Sequence, residues 1–265
     1  MRLISWNVNS LRARFDHIEQ VMEEYAPDVL CLQETKIEDR RFPTTWFEER
    51  GYGHLCFHGQ KSYHGVAIAA RVPLEGEKRV DWCAKGDARH VRAVLPVLPG
   101  GIELHNFYVP AGGDEPEPRV NEKFAHKLAF LDEMAAWSKA MDSAVPAILV
   151  GDLNVAPLES DVWNHKALLK IISHTPIEVE KLTAIQSEGE WVDVMRRIVP
   201  APERLYSWWS YRARDWRAAD RGRRLDHVWV TPPLQDKVAA MRVLEDVRGW
   251  PKPSDHAPVL VDFNF

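Results

Sequence analysis

The sequence predicts an α/β domain built from two packed sheets flanked by helices. Three observations carry that reading: an apolar strand–helix–strand unit opens the chain, short apolar runs separated by Gly, Pro and charged turns fill the middle, and strand-like runs recur to the C-terminus. No polar linker, low-complexity tract or repeat interrupts residues 1–265, so one domain is expected.

Residues 2–8 and 28–33 read as short strands. Between them, residues 11–25 place Leu11, Phe15, Ile18, Met22 and Tyr25 at spacings of three or four, an amphipathic helix that Pro27 brings to an end. Segments 53–58, 64–71, 89–98 and 102–109 are further strand candidates. The Pro-, Gly- and acid-rich stretch 110–118 is too short for a linker and reads as a loop at the mouth of a site. The clearest helix covers 119–141, with Phe124, Leu128, Leu131 and Ala135 on one face. Pro146 precedes a strand at 147–150, and strands near 205–211, 225–231, 238–244 and 258–263 complete the chain.

Cys31, Cys56 and Cys83 are odd in number, widely spaced and without a CxxC pair, which fits neither a disulfide framework nor a zinc site. A cytoplasmic location is therefore expected. The N-terminus runs straight into a strand without a signal-like apolar region, and no apolar run approaches the roughly 20 residues that span a bilayer. No membrane partner is expected. The formal net charge of −5 argues against a surface basic all over, but a local basic groove remains compatible with it.

Four short segments place oxygen-bearing side chains beside an apolar strand: residues 5–9 (SWNVN), 31–36 (CLQETK), 149–154 (LVGDLN) and 253–258 (PSDHAP). One such segment is usually only a turn. Several together, all rich in hard oxygen donors and without a Cys/His cluster, point to a Mg²⁺ or Mn²⁺ site rather than zinc. His256 follows Asp255 at a strand entrance, and Asp226 lies in the apolar run RLDHVWV, where a carboxylate is costly unless paired. An Asp226–His256 pair would be an acid–base device. Between residues 204 and 224 stand seven arginines (Arg204, Arg212, Arg214, Arg217, Arg221, Arg223 and Arg224), interleaved with Tyr206, Trp208, Trp209, Tyr211 and Trp216 and opposed only by Asp215 and Asp220. That composition suits a surface that follows a nucleic-acid backbone and stacks on bases. A solvated basic loop beside core tryptophans is the bland alternative.

The motifs WNVNSLRAR, LQETK, FHGQKSYHGVA, NFYVPAG, GDLNVAP, RRLDHVWV and PSDHAPV occur in one order along essentially the whole chain. Their set resembles the exonuclease III family of abasic-site endonucleases, within the endonuclease/exonuclease/phosphatase superfamily. The resemblance implies a four-layer α/β sandwich, two mixed sheets face to face with helices outside. It implies that Glu34 is the principal Mg²⁺ ligand, with Asn7 and Asp255 lining the metal pocket and Asp152 and Asn154 at the same centre. Asp152 would position and deprotonate the attacking water, and Asn154 would hold the nucleophile or a phosphate oxygen. Tyr108 would face the phosphate, and the Asp226–His256 pair would donate to it. Trp208, Trp209 and Leu225 would receive an extruded abasic sugar. Apart from the resemblance, Arg12 and Lys36, each beside a motif, and Arg223 in the arginine run are further candidate substrate contacts. The expected reaction is Mg²⁺-dependent hydrolysis of double-stranded DNA 5′ to abasic sites, with trimming of blocked 3′ ends, by a monomer.

Two positions depart from the family pattern. Arg223 stands where some members carry a bulky apolar residue, and Ala111 where they carry Asn or Gln. A phosphatase or lipid phosphodiesterase on the same scaffold, or a DNA-binding protein without catalysis, are the competing readings. The LRAR start, the NFYVPAG loop and the aromatic–arginine segment weigh against the first, and the complete catalytic set weighs against the second.

Overall fold

Every residue from Leu3 to Asn7 is buried, and the side chains alternate between two environments. Leu3 packs with Cys31, Ile68, Val150 and Val228, whereas Ile4 and Trp6 pack with Ile18, Val21 and Met22 of the following helix. A strand apolar on both faces belongs inside a layered structure. In the computed structural model, which describes residues 1–265, this is β1 (Arg2–Asn7), the centre of a six-stranded sheet. Its order is β13 (Val238–Val243), β14 (Val259–Phe263), β1, β2 (Val29–Gln33), β4 (Val66–Ala70), β3 (His54–His58). A second six-stranded sheet runs β5 (Glu75–Arg79), β6 (His90–Leu95), β7 (Ile102–Tyr108), β8 (Ala147–Asp152), β12 (Asp226–Val230), β9 (Val192–Asp193). In each sheet one central pair, β1–β2 or β7–β8, is parallel and the rest are antiparallel.

The sheets meet through a shared apolar core that includes Leu3, Val29, Ile68, Leu104, Ile148 and Val228. Helix α1 (Phe15–Tyr25) covers the outer face of the first sheet. Helices α3 (Glu122–Ala140) and α5 (Pro176–Glu188) cover the second, where Phe130, Met134, Leu182 and Ile185 pack on Phe107, Leu149 and Trp229. Short helices α2 (Thr44–Glu48), α4 (His165–Leu168), α6 (Val194–Ile198) and α7 (Trp216–Ala219), with a two-stranded ribbon of β10 (Trp208–Trp209) and β11 (Gly222–Arg223), complete the molecule. The expected helix–sheet–sheet–helix sandwich is the architecture found. No helix is long and apolar enough to cross a membrane.

Local differences from the sequence expectation have physical causes. The first helix begins at Phe15 rather than residue 11, because the amides of Ser10 and Leu11 donate to Glu34 and Thr35 carbonyls beyond β2. The segment 205–211 keeps only two strand residues, since its backbone bonds are shared between Arg223, Asp255 and Ala257. Helix α3 starts at Glu122, where the Asn121 side chain accepts from the Lys123 and Phe124 amides. Strand β5 and helix α5 were not expected at all.

Beneath the rim described below, a polar layer ties the sheets together. Gln33 Nε2 donates to Ser5 Oγ (3.1 Å) and across the sheets to Asn106 Oδ1 (2.7 Å). Asn106 Nδ2 returns to the carbonyls of Leu32 (3.0 Å) and Ala67 (2.9 Å). Such a network fixes one register between sheets that apolar packing alone would leave slack.

On the outer face of the second sheet, a buried histidine chain sets an acid limit on stability. The Trp82 indole N–H, a donor only, reaches His90 Nδ1 at 3.1 Å, so the His90 proton sits on Nε2 and faces His105 Nδ1 at 3.1 Å. His105 Nε2 then faces Glu103 at 3.3 Å. Burial pushes both histidines below the ordinary value, and their mutual repulsion adds to the effect at His90. His64 and His227 are each brought to about 4, chiefly by burial. These groups take up protons in the unfolded chain first, so their stability is complete above the unfolded histidine value and is lost as pH falls from there toward the folded values. The fully buried His90, His105 and His227 each contribute up to about 1.4 kcal/mol per pH unit crossed, and the partly exposed His64 less, because solvent screens it. A clear drop in melting temperature between pH 7 and pH 5, followed by circular dichroism, is expected; a flat profile would contradict the neutral assignment.

Candidate active site

The pleat explains how the site forms. On five strands, the side chains that face between the sheets run from apolar to polar at one end: Leu3–Ser5–Asn7, Val29–Cys31–Gln33, Leu104–Asn106–Tyr108, Ile148–Val150–Asp152 and Val230–Val228–Asp226. Asp152 is the register partner of Tyr108 on one side and Asp226 on the other. The rim thus lies at the carboxyl ends of both parallel pairs, where open α/β sheets place their ligands. Gly151 makes the approach possible: its φ is +138°, and a Cβ there would lie 1.9 Å from the Phe107 carbonyl oxygen.

Asp152 accepts from Asn7 Nδ2 (2.9 Å), from the Asn154 amide (2.9 Å) and from Asn154 Nδ2 (3.1 Å). The same Asn7 nitrogen donates to Glu34 at 2.9 Å, so one amide holds two carboxylates. Glu34 and Asn154 both have φ +53°, the left-handed turn that swings each side chain back over its strand end. Asn154 Nδ2 also donates to the Val109 carbonyl (2.9 Å), leaving the amide oxygen as its remaining acceptor. His256 Nδ1 donates to Asp226 Oδ2 at 2.8 Å, and its Nε2 stands 3.7 Å from Asp152. Asp226 is fully buried, as the reading of a paired carboxylate requires.

Burial raises Asp152 to about 7, with repulsion from Asp226 and Glu34 adding to it against the attraction of His256. Burial opposes charge on His256 too, but Asp226 and Asp152 outweigh it and bring the imidazole to about 10. Burial also works against the Glu34 carboxylate, yet Lys36 at 2.8 Å and the Asn7 amide hold it below its ordinary value. Tyr108 is pushed far upward by burial and by the Glu34 and Asp152 charges, so its phenol is a neutral donor.

Asp152, Asp226 and His256 form a buried group whose donor atoms lie within 4.8 Å of one another and could hold a metal ion. The wider donor set fits a hard divalent cation: carboxylates from Glu34 and Asp152 share one amide, Asn154 has an oxygen to offer, and no cysteine belongs to the buried donor group. Asn7 and Asp255 are placed differently from simple ligands. Both amide atoms of Asn7 are engaged, its oxygen by the Asn9 amide (3.0 Å), and both Asp255 oxygens accept hydrogen bonds, from Asn9 Nδ2 (3.0 Å) and the Trp208 indole (2.9 Å).

Between this rim and the β10–β11 ribbon opens a cleft of about 720 Å³ lined by Trp208, Leu225, Arg212, Arg214, Arg221 and Arg223 among others. Trp209 reaches the same cleft but is mostly core, packed on Tyr206 and Ala257. Lys36 belongs to the Glu34 centre rather than to the cleft wall, and Arg12 is exposed on the turn after β1. Ala111 lies on the cleft edge.

The arginine-rich segment is not one surface. Arg224 is completely buried and bonded to Asp161 and Asp193, Arg217 pairs with Asp246, and Arg204 pairs with Asp220. Arg212, Arg214, Arg221 and Arg223 are the ones that face the cleft.

Three contributors escaped the sequence reading. Asn9 links the Asp255 carboxylate to Lys36, whose Nζ donates to Asn9 Oδ1 at 2.5 Å. Trp163 lines the cleft beside Trp208. Lys127, fully buried on α3, donates to the Asn154 carbonyl (2.7 Å) and pairs with Glu178 (2.5 Å), fixing the turn that carries Asn154. A lysine three residues after Phe124 and four before Leu131, on the apolar face, was the available signal.

Residues 4–256 match the model of the Endonuclease/Exonuclease/phosphatase family. The chain is 32% identical to exodeoxyribonuclease III of Haemophilus influenzae, over 99% of this chain and 100% of that protein. An AP endonuclease structure from Archaeoglobus fulgidus superposes with a TM-score of 0.92 at 33% identity, over the full length of both chains. A 3′ phosphatase from Neisseria, solved bound to a product DNA hairpin, superposes at 0.91 with 26% identity, again over both full lengths. The chain belongs to the exonuclease III/AP endonuclease family, within the endonuclease/exonuclease/phosphatase superfamily. It is a phosphodiesterase of the exodeoxyribonuclease III/AP endonuclease type.

Proposed function

We propose that the chain is a Mg²⁺-dependent DNA-repair nuclease that hydrolyses the backbone of duplex DNA 5′ to abasic sites and trims 3′ ends. The observation that carries this reading is the joint placement of Asp152, Asn154, Glu34 and the Asp226–His256 pair at one rim, beside a cleft walled by indoles and guanidiniums. A phosphodiester is anionic and resists attack until its charge is neutralised.

Glu34 and Asp152, with the Asn154 amide oxygen beside them, would hold the cation, while Asp255 would line the pocket through Asn9 and Trp208 and Asn7 would keep the two carboxylates together. A cation held there supplies charge neutralisation and lowers the pKa of water. Asp152, as a buried carboxylate fixed by Asn7 and Asn154, orients the attacking water and takes its proton. Asn154 presents its amide oxygen to that water. His256, kept charged by Asp226, donates through Nε2 to a non-bridging phosphate oxygen, and Tyr108 donates its phenol proton to the same group. Trp208 and Leu225 receive the abasic sugar, which is cheaper to extrude than a paired nucleotide.

The test is a duplex carrying one synthetic abasic site, incubated with Mg²⁺ or with chelator. Cleavage on the 5′ side of the lesion, present with Mg²⁺ and abolished by chelator, is expected, and Mn²⁺ should substitute. Absence of metal-dependent cleavage at the lesion would overturn the reading.

A further inference from the structure

Lys127 has no exposed surface, although it sits on the apolar face of α3 beside Phe124 and Leu128. A lysine is almost never fully buried unless it is paired, and an apolar residue at such a position costs less. Its partner Glu178, at 2.5 Å, does not require it. That carboxylate already accepts from the Ser173 amide (2.9 Å), the Thr175 amide (3.1 Å) and Thr175 Oγ1 (2.6 Å), the capping box of α5. Glu178 therefore compensates the lysine, and the reason for the lysine lies with its other protons.

Those protons go to two carbonyls, of Asn154 at 2.7 Å and of Ala111 at 3.4 Å. The carbonyls belong to the turns that follow β8 and β7, whose last residues, Asp152 and Tyr108, are register partners. The second turn is moulded on the lysine stem: Gly112 has φ +93°, and a Cβ there would lie 3.0 Å from Lys127 Cδ. In the first turn Asn154 is held at φ +53°. Its backbone N–H and its Nδ2 donate to Asp152, and Nδ2 donates again to the Val109 carbonyl. Those bonds fix the nitrogen end of the residue, and the bond from Lys127 fixes the carbonyl end. A left-handed turn at a residue with a side chain persists only where its surroundings hold it.

We propose that Lys127 is a positioning residue for the hydrolysis, a role that rests on the nuclease reading above: its ammonium holds the Asn154 backbone from beneath, so that the amide oxygen stays aimed at the attacking water. Lys127 itself touches neither water nor phosphate. It acts through Asn154, and Glu178 is the counter-charge that lets an ammonium stand there.

The experiment follows single-turnover cleavage of an abasic duplex with Mg²⁺ and excess enzyme, where the rate constant is blind to any unfolded fraction. Lys127→Met, which keeps the length of the side chain, should lower that rate constant about ten- to hundredfold, the worth of one charge-assisted hydrogen bond. Duplex affinity measured in chelator should not change. The same substitution made on Asn154→Ala should alter the rate by no more than about twofold, because the group it positions is gone. Lys127→Met/Glu178→Gln removes both buried charges together, and should melt close to the wild type while keeping the full loss in rate. An equal loss with and without the Asn154 side chain would make Lys127 a structural residue and overturn the inference alone, as would recovery of the rate in the neutral pair. A wild-type protein that cleaves no abasic duplex would remove the nuclease reading, and the inference with it.

Discussion

Replacing Asp152 by Asn will lower kcat for Mg²⁺-dependent cleavage of an abasic duplex by about 10²- to 10⁴-fold, the usual worth of a positioned general base, while affinity for the duplex is retained. Three donors, Asn7 Nδ2, the Asn154 amide and Asn154 Nδ2, converge on two carboxylate oxygens. An asparagine offers one oxygen, so at least one of these contacts becomes donor against donor, and no basic group remains for the water. The cleft wall formed by Trp208, Leu225 and Arg223 stands on other elements and keeps its contacts to DNA, while His256 retains Asp226 as its partner. Single-turnover cleavage and DNA binding measured in chelator separate the two effects. A variant that cleaves near the wild-type rate would show that another group takes the proton.

Asp161→Ala should destabilise the protein by about 3–5 kcal/mol, the cost of stranding buried charges. Asp161 is completely buried and accepts from Arg224 Nε (2.7 Å) and Nη2 (3.0 Å) and from Arg196 Nε (3.1 Å) and Nη2 (2.5 Å). Without it, the fully buried Arg224 keeps only Asp193 at 2.7 Å, and Arg196 keeps only carbonyls. At roughly 2–4 °C per kcal/mol for a chain of this size, a fall in melting temperature on the order of 10 °C follows. A loss of only a degree or two would mean that water or Asp193 compensates both guanidiniums. Since Arg224 immediately precedes Leu225 and Asp226, the cluster is the footing of both the cleft wall and the His256 partner.

Strands with apolar residues on both faces were legible because each carried its own burial in its composition, as β1, β8 and β12 do. Strand β5 was not: all five of its residues are exposed on a sheet edge, and EGEKR contains no period to read. Helix α5 could have been read from Thr175, Pro176 and Glu178, where a capping box and a proline at the first turn mark a helix start. At the site, Glu34, Asp152, Asn154, Asp226 and His256 stood out because polar groups at the ends of apolar strands need a reason. Arg224 misled, because an arginine among arginines looks exposed until its two buried acids, distant in sequence, are brought beside it. Trp163 gave no local signal, since its role comes only from which wall it closes.

The inward row on each central strand also makes chain length a functional quantity. Counting from a buried apolar anchor, Leu3 to Asn7, Ile148 to Asp152 and Val230 to Asp226 each span two full pleats. An insertion or deletion of one residue inside β1, β8 or β12 would reverse the row, turning the rim group under the helices and an apolar neighbour into the cleft. The same change in stretch 110–118 would alter only a loop. Within these strands the spacing is therefore as much a part of the active site as the side chains, and homologous chains should keep it without gaps even where their residues diverge.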